Sequence, residues 1–330
     1  MSVFRMSSPS DVVAGAVALG GHLPVDEVAV MSLDRHPAAV MLVQLGDDAE
    51  RESGRILDAL ESAAPLEENQ SMLAVVFGPA ERGDVVGAIL ERLRPDAVTP
   101  VFVFTDGLVR QWHGAGSLIG QPGMPVDLAA HPIIAEALVV GSTTLMTRAE
   151  MRASFTPAQH GPDRAATVAA GFGRERVILA AMTPQNAADR AYDFALAPYV
   201  GGTTGAGERG ISVTDEHAAI IAAAMHDVPV RDLLFARIDA HNADAAAEVM
   251  RQVGAVLPHD LAGSLLILAG VFHWVSRHAA LAREAVNVGR ALDPAHSFGK
   301  LFEQFLNHGM NPALWEQLRA AAVRAHQDSR

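Results

Sequence analysis

The chain has 330 residues, half of them hydrophobic, with a net charge of −13 and no cysteine. Single cores stop growing at roughly 250–300 residues, so two domains are expected. The missing thiols exclude disulfides, thiolate zinc sites, iron–sulfur clusters and cysteine nucleophiles, and point to an intracellular, cytoplasmic address. With Lys300 as the single lysine and the arginines scattered, the acidic balance argues against a sequence-independent grip on nucleic acid.

No apolar core of signal-peptide length precedes Ser10. Leu261 to Val275 is apolar for only about fifteen residues, short of the roughly twenty that span a bilayer, and reads as a buried helix, so no membrane association is expected.

Taken in order, Ser8-Pro9-Ser10-Asp11 is a helix start, with an oxygen-bearing cap and Pro in the first turn, and Gly20-Gly21 closes that helix. Two apolar runs, Val28 to Leu33 and Ala39 to Leu45, flank Asp34-Arg35-His36-Pro37. They predict a β-hairpin, because Asp and Pro preset the reversal while Val and Met fill a sheet face. Asp47 to Ala63 carries Ile56, Leu57 and Leu60 at helical spacing before Pro65. Met72 to Phe77, bounded by Gly78-Pro79, reads as a strand buried on both faces.

Asp84 to Leu93 reads as a second helix, with Val85, Val86, Ile89, Leu90 and Leu93 on one side. Val101 to Phe104 and Leu108 to Trp112 flank Asp106-Gly107, a strong hairpin signal because Gly accepts the positive φ of a tight reversal. The sum is an α/β domain over 1–150, a mixed sheet with hairpins and packed helices. A Gly- and Pro-rich loop, Gly114 to Pro125, and a helix from Ala130 to Val140 complete it.

From Thr147 the pattern becomes helix after helix, which predicts a helical domain over 151–330. Thr147 and Glu150 form a capping box. Thr156-Pro157 and Thr183-Pro184 are cap-plus-Pro starts, and Thr214-Asp215-Glu216 is a cap with acids at the positive helix end. Leu266, Ala269, Gly270, His273, Ala282, Val286 and Pro294 fall at tetratricopeptide spacing. Physically, Gly270 and Ala282 let two antiparallel helices approach closely, and Pro294 ends the second. A single unit of this kind predicts a helical hairpin closing the domain.

Catalytic chemistry is sparse. The chain has fourteen histidines but no His-Glu-x-x-His. At about 100° per residue, His217 and His226 point to opposite sides of one helix and His273 and His278 diverge by roughly 140°, so no metal site is predicted. Gly210-Ile-Ser212-Val-Thr214 lacks the second glycine of a nucleophile elbow. The Gly201 to Gly210 loop lacks the Gly-Lys-Ser/Thr ending of a P-loop, and Glu208 would repel an anion. No catalytic residue and no cofactor is implied. The polar residues nearest aromatic surface, Asp106, Arg110, Trp112 and His113 on the second hairpin, together with Arg148, are the candidate binding residues, since Trp and Arg are typical interface anchors.

Several stretches carry a resemblance: Gly21-His22-Leu23-Pro24-Val25-Asp26; Asp106-Gly-Leu-Val-Arg-Gln-Trp112 with its Gly123-Met-Pro125 loop; Thr147-Arg148-Ala149-Glu150-Met151; and Leu281-Ala282 with Ala291-Leu292-Asp293-Pro294. In this order they resemble the actinobacterial family called domain of unknown function 4192, also met in phages. Members of that family often carry cysteines in the loop after the Trp-bearing strand, and Gly114 to Pro125 has none. The family implies no activity. The expectation is therefore a non-enzymatic interaction or regulatory protein acting on a protein partner or by self-association. The alternative is a small-ligand or nucleotide-binding enzyme using the cleft between the halves.

Overall fold

The computed structural model describes residues 6–32, 40–45, 72–93, 99–118, 120–139, 143–157, 162–200, 212–308 and 310–328. The predicted turn at 34–37, the predicted helix at 47–63 and the Gly201 to Gly210 loop lie outside them. The chain divides into two compact units, Met1–Arg148 and Ala149–Arg330.

The first unit is built on a six-stranded sheet: β1 (Glu27–Ser32), β2 (Val40–Gln44), β3 (Met72–Phe77), β4 (Val101–Thr105), β5 (Leu108–Trp112) and β6 (Met124–Pro125), in the order β2-β1-β3-β4-β5-β6. Only β3 and β4 pair in parallel; the other neighbours are antiparallel, so the sheet is mixed as predicted. Alternation along each strand gives it two apolar faces. Ala29, Met31, Leu73, Val75, Phe77 and Val109 face α1 (Pro9–Gly20) and α3 (Pro132–Val139), while Val28, Val30, Ala74, Val76, Val101 and Val103 face α2 (Ala80–Leu93). All six residues of β3 are buried, the consequence of helices on both sides.

Local signals explain the ends of these elements. Ser8 accepts from the Asp11 amide while Asp11 caps the Ser8 amide, closing the first turn of α1. Asp106 and Gly107 take φ of 51° and 74°, both positive as a two-residue hairpin turn of this hand requires. The loop Gly114 to Pro125 is not wholly irregular: Met124–Pro125 pairs with β5 as a short edge strand.

The second unit is helical: α4 (Arg148–Phe155), α5 (Pro162–Ala180), α6 (Pro184–Arg190), a π-helical turn (Ala191–Leu196), α7 (Ala197–Val200), α8 (Asp215–His226), α9 (Val228–Phe235), α10 (Ala243–Val256), α11 (His259–Val275), α12 (Ala279–Leu292), α13 (Ser297–Asn307) and α14 (Trp315–Asp328). Thr183 and Thr214 cap α6 and α8 as predicted. The residues that a helix opened by Thr156-Pro157 would contain, 158–161, lie outside the described ones. The Thr156 hydroxyl donates back to the Arg152 carbonyl, so it closes α4, and Pro162 is the first residue of α5.

The hairpin of α11 and α12 has the predicted close approach. A Cβ on Gly270 would stand 2.8 Å from the Ala282 carbonyl, and one on Gly289 2.7 Å from the Gly263 carbonyl, so these helices meet backbone to backbone where only glycine fits. This hairpin is consistent with the tetratricopeptide-like spacing. Buried indoles complete the core with satisfied N–H groups, Trp274 donating to the Met310 carbonyl and Trp315 to the Ile238 carbonyl.

Candidate functional site

Of the hairpin residues read as a binding cluster, Trp112 and Arg110 have side-chain partners within their own fold. Trp112 lies under α2, against Gly87, and its indole N–H donates to Asp84 Oδ1 at 2.8 Å; the Gly116 amide shares that oxygen. Arg110 Nε donates to the Gln121 carbonyl at 3.0 Å and so braces the loop. Asp106 is exposed at the turn, and the backbone of His113 donates to Ser117 Oγ. Trp112 and Arg110 tie the hairpin to the helix and loop beside it.

Arg148 belongs to a different group. Glu27, the first residue of β1, is fully buried, its Oε2 2.8 Å from His22 Nε2 and its Oε1 in an ion pair with Arg148 Nε at 3.0 Å. His22 Nδ1 faces the Gly20 carbonyl at 3.2 Å, so each ring nitrogen meets an oxygen. The Leu23 amide donates to the Met146 carbonyl, and Leu23 bridges Thr147. Two of the stretches that carry the resemblance, around His22 and around Arg148, thus meet on one buried carboxylate. A charge this deep persists only when it is paired.

In the helical unit a second polar group joins α10, α11 and the turn before α12. His278 Nδ1 lies 3.2 Å from Asp244 Oδ1 and His273 Nδ1 3.9 Å from it, and neither nitrogen has a hydrogen bond of good alignment. The divergence predicted for the two histidines assumes one continuous helix. Instead α11 ends at Val275 and Arg277 takes a left-handed φ of 68°, folding His278 back until the ring centroids are 5.9 Å apart. Burial pushes His273 down to about 4, with His278 adding to the effect, so its ring is neutral at pH 7. Asp244 is held below the ordinary carboxylate range, chiefly by His278.

Among the described residues, the most prominent aromatic surface is the π-helical turn. The Ala197 amide reaches back five residues to the Tyr192 carbonyl, which places one extra residue in the turn and re-aims the side chains around it. Ala191, Ala195 and Leu196 are buried and anchor the turn. Phe194 is left 47% exposed between the Arg190 guanidinium, 5.9 Å from its ring centre, and the edge of His217 at 5.4 Å.

The surroundings of Phe194 are fixed. Arg190 pairs with Glu175, Arg237 lies over the Tyr192 ring and pairs with Asp189, and the Tyr199 hydroxyl meets His217 Nδ1 at 2.8 Å. Asp193, beside Phe194, lies 3.6 Å from Arg237 Nη1 and has a mostly exposed carboxylate. Sequence reasoning passed over this site, although one signal was present: the chain's two tyrosines, Tyr192 and Tyr199, flank Phe194.

Among the described residues no helix is long and apolar enough to cross a membrane. No curated protein and no solved structure matches the chain. One family model does, over residues 9–313, and the chain therefore belongs to the family Domain of unknown function (DUF4192).

Proposed function

We propose that this is a cytoplasmic, non-enzymatic protein that acts through contact with a protein partner, and that the surface around Phe194 carries the contact. The observation behind this reading is an aromatic side chain held half exposed on a rigid turn, between an arginine and a histidine that are themselves pinned. Interface hot spots are enriched in aromatic residues and arginine, and a preorganised anchor loses little side-chain entropy on binding. With Asp193 beside Phe194 and a net charge of −13, the complementary partner offers an apolar pocket rimmed by basic groups.

The test is native mass spectrometry of the protein purified from its own host, wild type against Phe194→Ala. The expected result is a bound polypeptide on the wild type that is absent from a variant with unchanged melting. A polypeptide that stays on Phe194→Ala would contradict the proposal. So would a wild type carrying no polypeptide, or one carrying only a few hundred daltons lost on denaturation, which is the signature of a small-ligand binder.

A further inference from the structure

We infer that Asp244, His273 and His278 form a three-ligand site for a divalent transition cation of the zinc type. One donor atom from each residue lies within 4.8 Å of the other two. Two donors each about 2.05 Å from a tetrahedral zinc ion stand about 3.3 Å apart. The contacts of Asp244 Oδ1 with His278 Nδ1 at 3.2 Å and with His273 Nδ1 at 3.9 Å are therefore close to a coordination shell before any adjustment.

The second observation is His273 itself. It is only 7% exposed, its ring meets Phe155 edge to face, and its Nδ1 points at the Asp244 carboxylate with no hydrogen bond made. A buried nitrogen without a partner is costly to keep, and an imidazole nitrogen is a common ligand for such cations.

The neighbouring charges leave these three residues free for the role. Glu248, one turn after Asp244, is taken by Arg251 through both oxygens and by Gln252, which also neutralises the nearest cation. Two imidazoles and one carboxylate with no thiolate select zinc, cobalt or nickel over magnesium or calcium. Asp244 is half exposed, so water can reach the fourth position. A bound ion would fasten the start of α10 to the turn joining α11 and α12.

The test uses the full chain, stripped with a chelator and titrated with Co²⁺, whose visible absorption reports its coordination. The expected result is one Co²⁺ per chain, displaced by Zn²⁺, with the band lost in His278→Gln and in Asp244→Asn and kept in His308→Gln. Zn²⁺ should also raise the melting temperature of the wild type, and chelator should reverse the rise. A wild type without the band, a band of equal strength in His278→Gln and Asp244→Asn, or a melting temperature indifferent to Zn²⁺ would overturn the proposal.

Discussion

His22 in the α/β unit and His273 in the helical unit are buried to nearly the same degree, 2% and 7% exposed, but their ring nitrogens meet opposite surroundings. His22 has an acceptor at each nitrogen, and the carboxylate it shares is neutralised on its other oxygen by Arg148. His273 leaves Nδ1 without a hydrogen bond beside a carboxylate and a second histidine. The difference separates two uses of buried polarity. A network whose buried carboxylate meets a histidine on one oxygen and an arginine on the other specifies a fold, here the register between the start of β1 and the segment that leads into α4. A network one partner short has room for a component that the chain does not supply.

The sharpest way to break this comparison is at Glu27. Glu27→Gln leaves His22 and Arg148 facing a neutral amide in a dry site, and removing one member of a buried pair costs about 3–5 kcal/mol. Amide exchange across β1 and β3 should accelerate by roughly 100-fold or more, at 1.4 kcal/mol per factor of ten, with α10 to α12 little changed. An unchanged sheet would mean that the pair contributes nothing.

A smaller effect belongs to His273. Its folded value of about 4 lies below the ordinary 6.5, so below pH 6.5 the unfolded chain takes up a proton that the folded chain refuses. Stability is therefore full above pH 6.5 and is lost as pH falls toward 4. Between pH 7 and 5 this amounts to about 2 kcal/mol at 1.36 kcal/mol per pH unit. The groups facing the ring are His278, Asp244, Glu248 and Arg251. Urea midpoints should drop more over this interval in the wild type than in His273→Gln, and parallel drops would contradict the assignment.

The smallest effect is predicted at Phe194. Exposed on its turn, it should give a Phe194→Ala variant within about 0.5 kcal/mol of wild-type stability, which is what makes it a clean probe of binding.

Elements specified by neighbours in the chain were legible. The Asp106-Gly107 turn, the Ser8, Thr183 and Thr214 caps and the fully buried β3 each follow from a few consecutive residues. The Gly270 and Ala282 approach was legible because small residues at helical spacing admit one packing. Where distant or conformationally costly features decide, reading failed. Glu27 looks like the polar flank of a strand until His22 and Arg148 close on it. The histidine geometry turns on Arg277 adopting a conformation that favours glycine, which residue identity does not announce. A two-residue strand such as β6 is too short to show a period, and the π-helical turn differs from an α-helix by one residue that no pattern marks. On the second hairpin, Trp112 and Arg110 bond to Asp84 and Gln121, partners that residue type alone does not name.

The most direct measurement is an NMR titration of the histidine ring nitrogens in the chelator-stripped full chain with Zn²⁺. The resonances of His273 and His278 should shift together and saturate at one equivalent, while those of His22 stay in place. Zn²⁺ shifts at His22 equal to those at His273, or no shift at His273 and His278, would contradict the division between a complete network and an incomplete one.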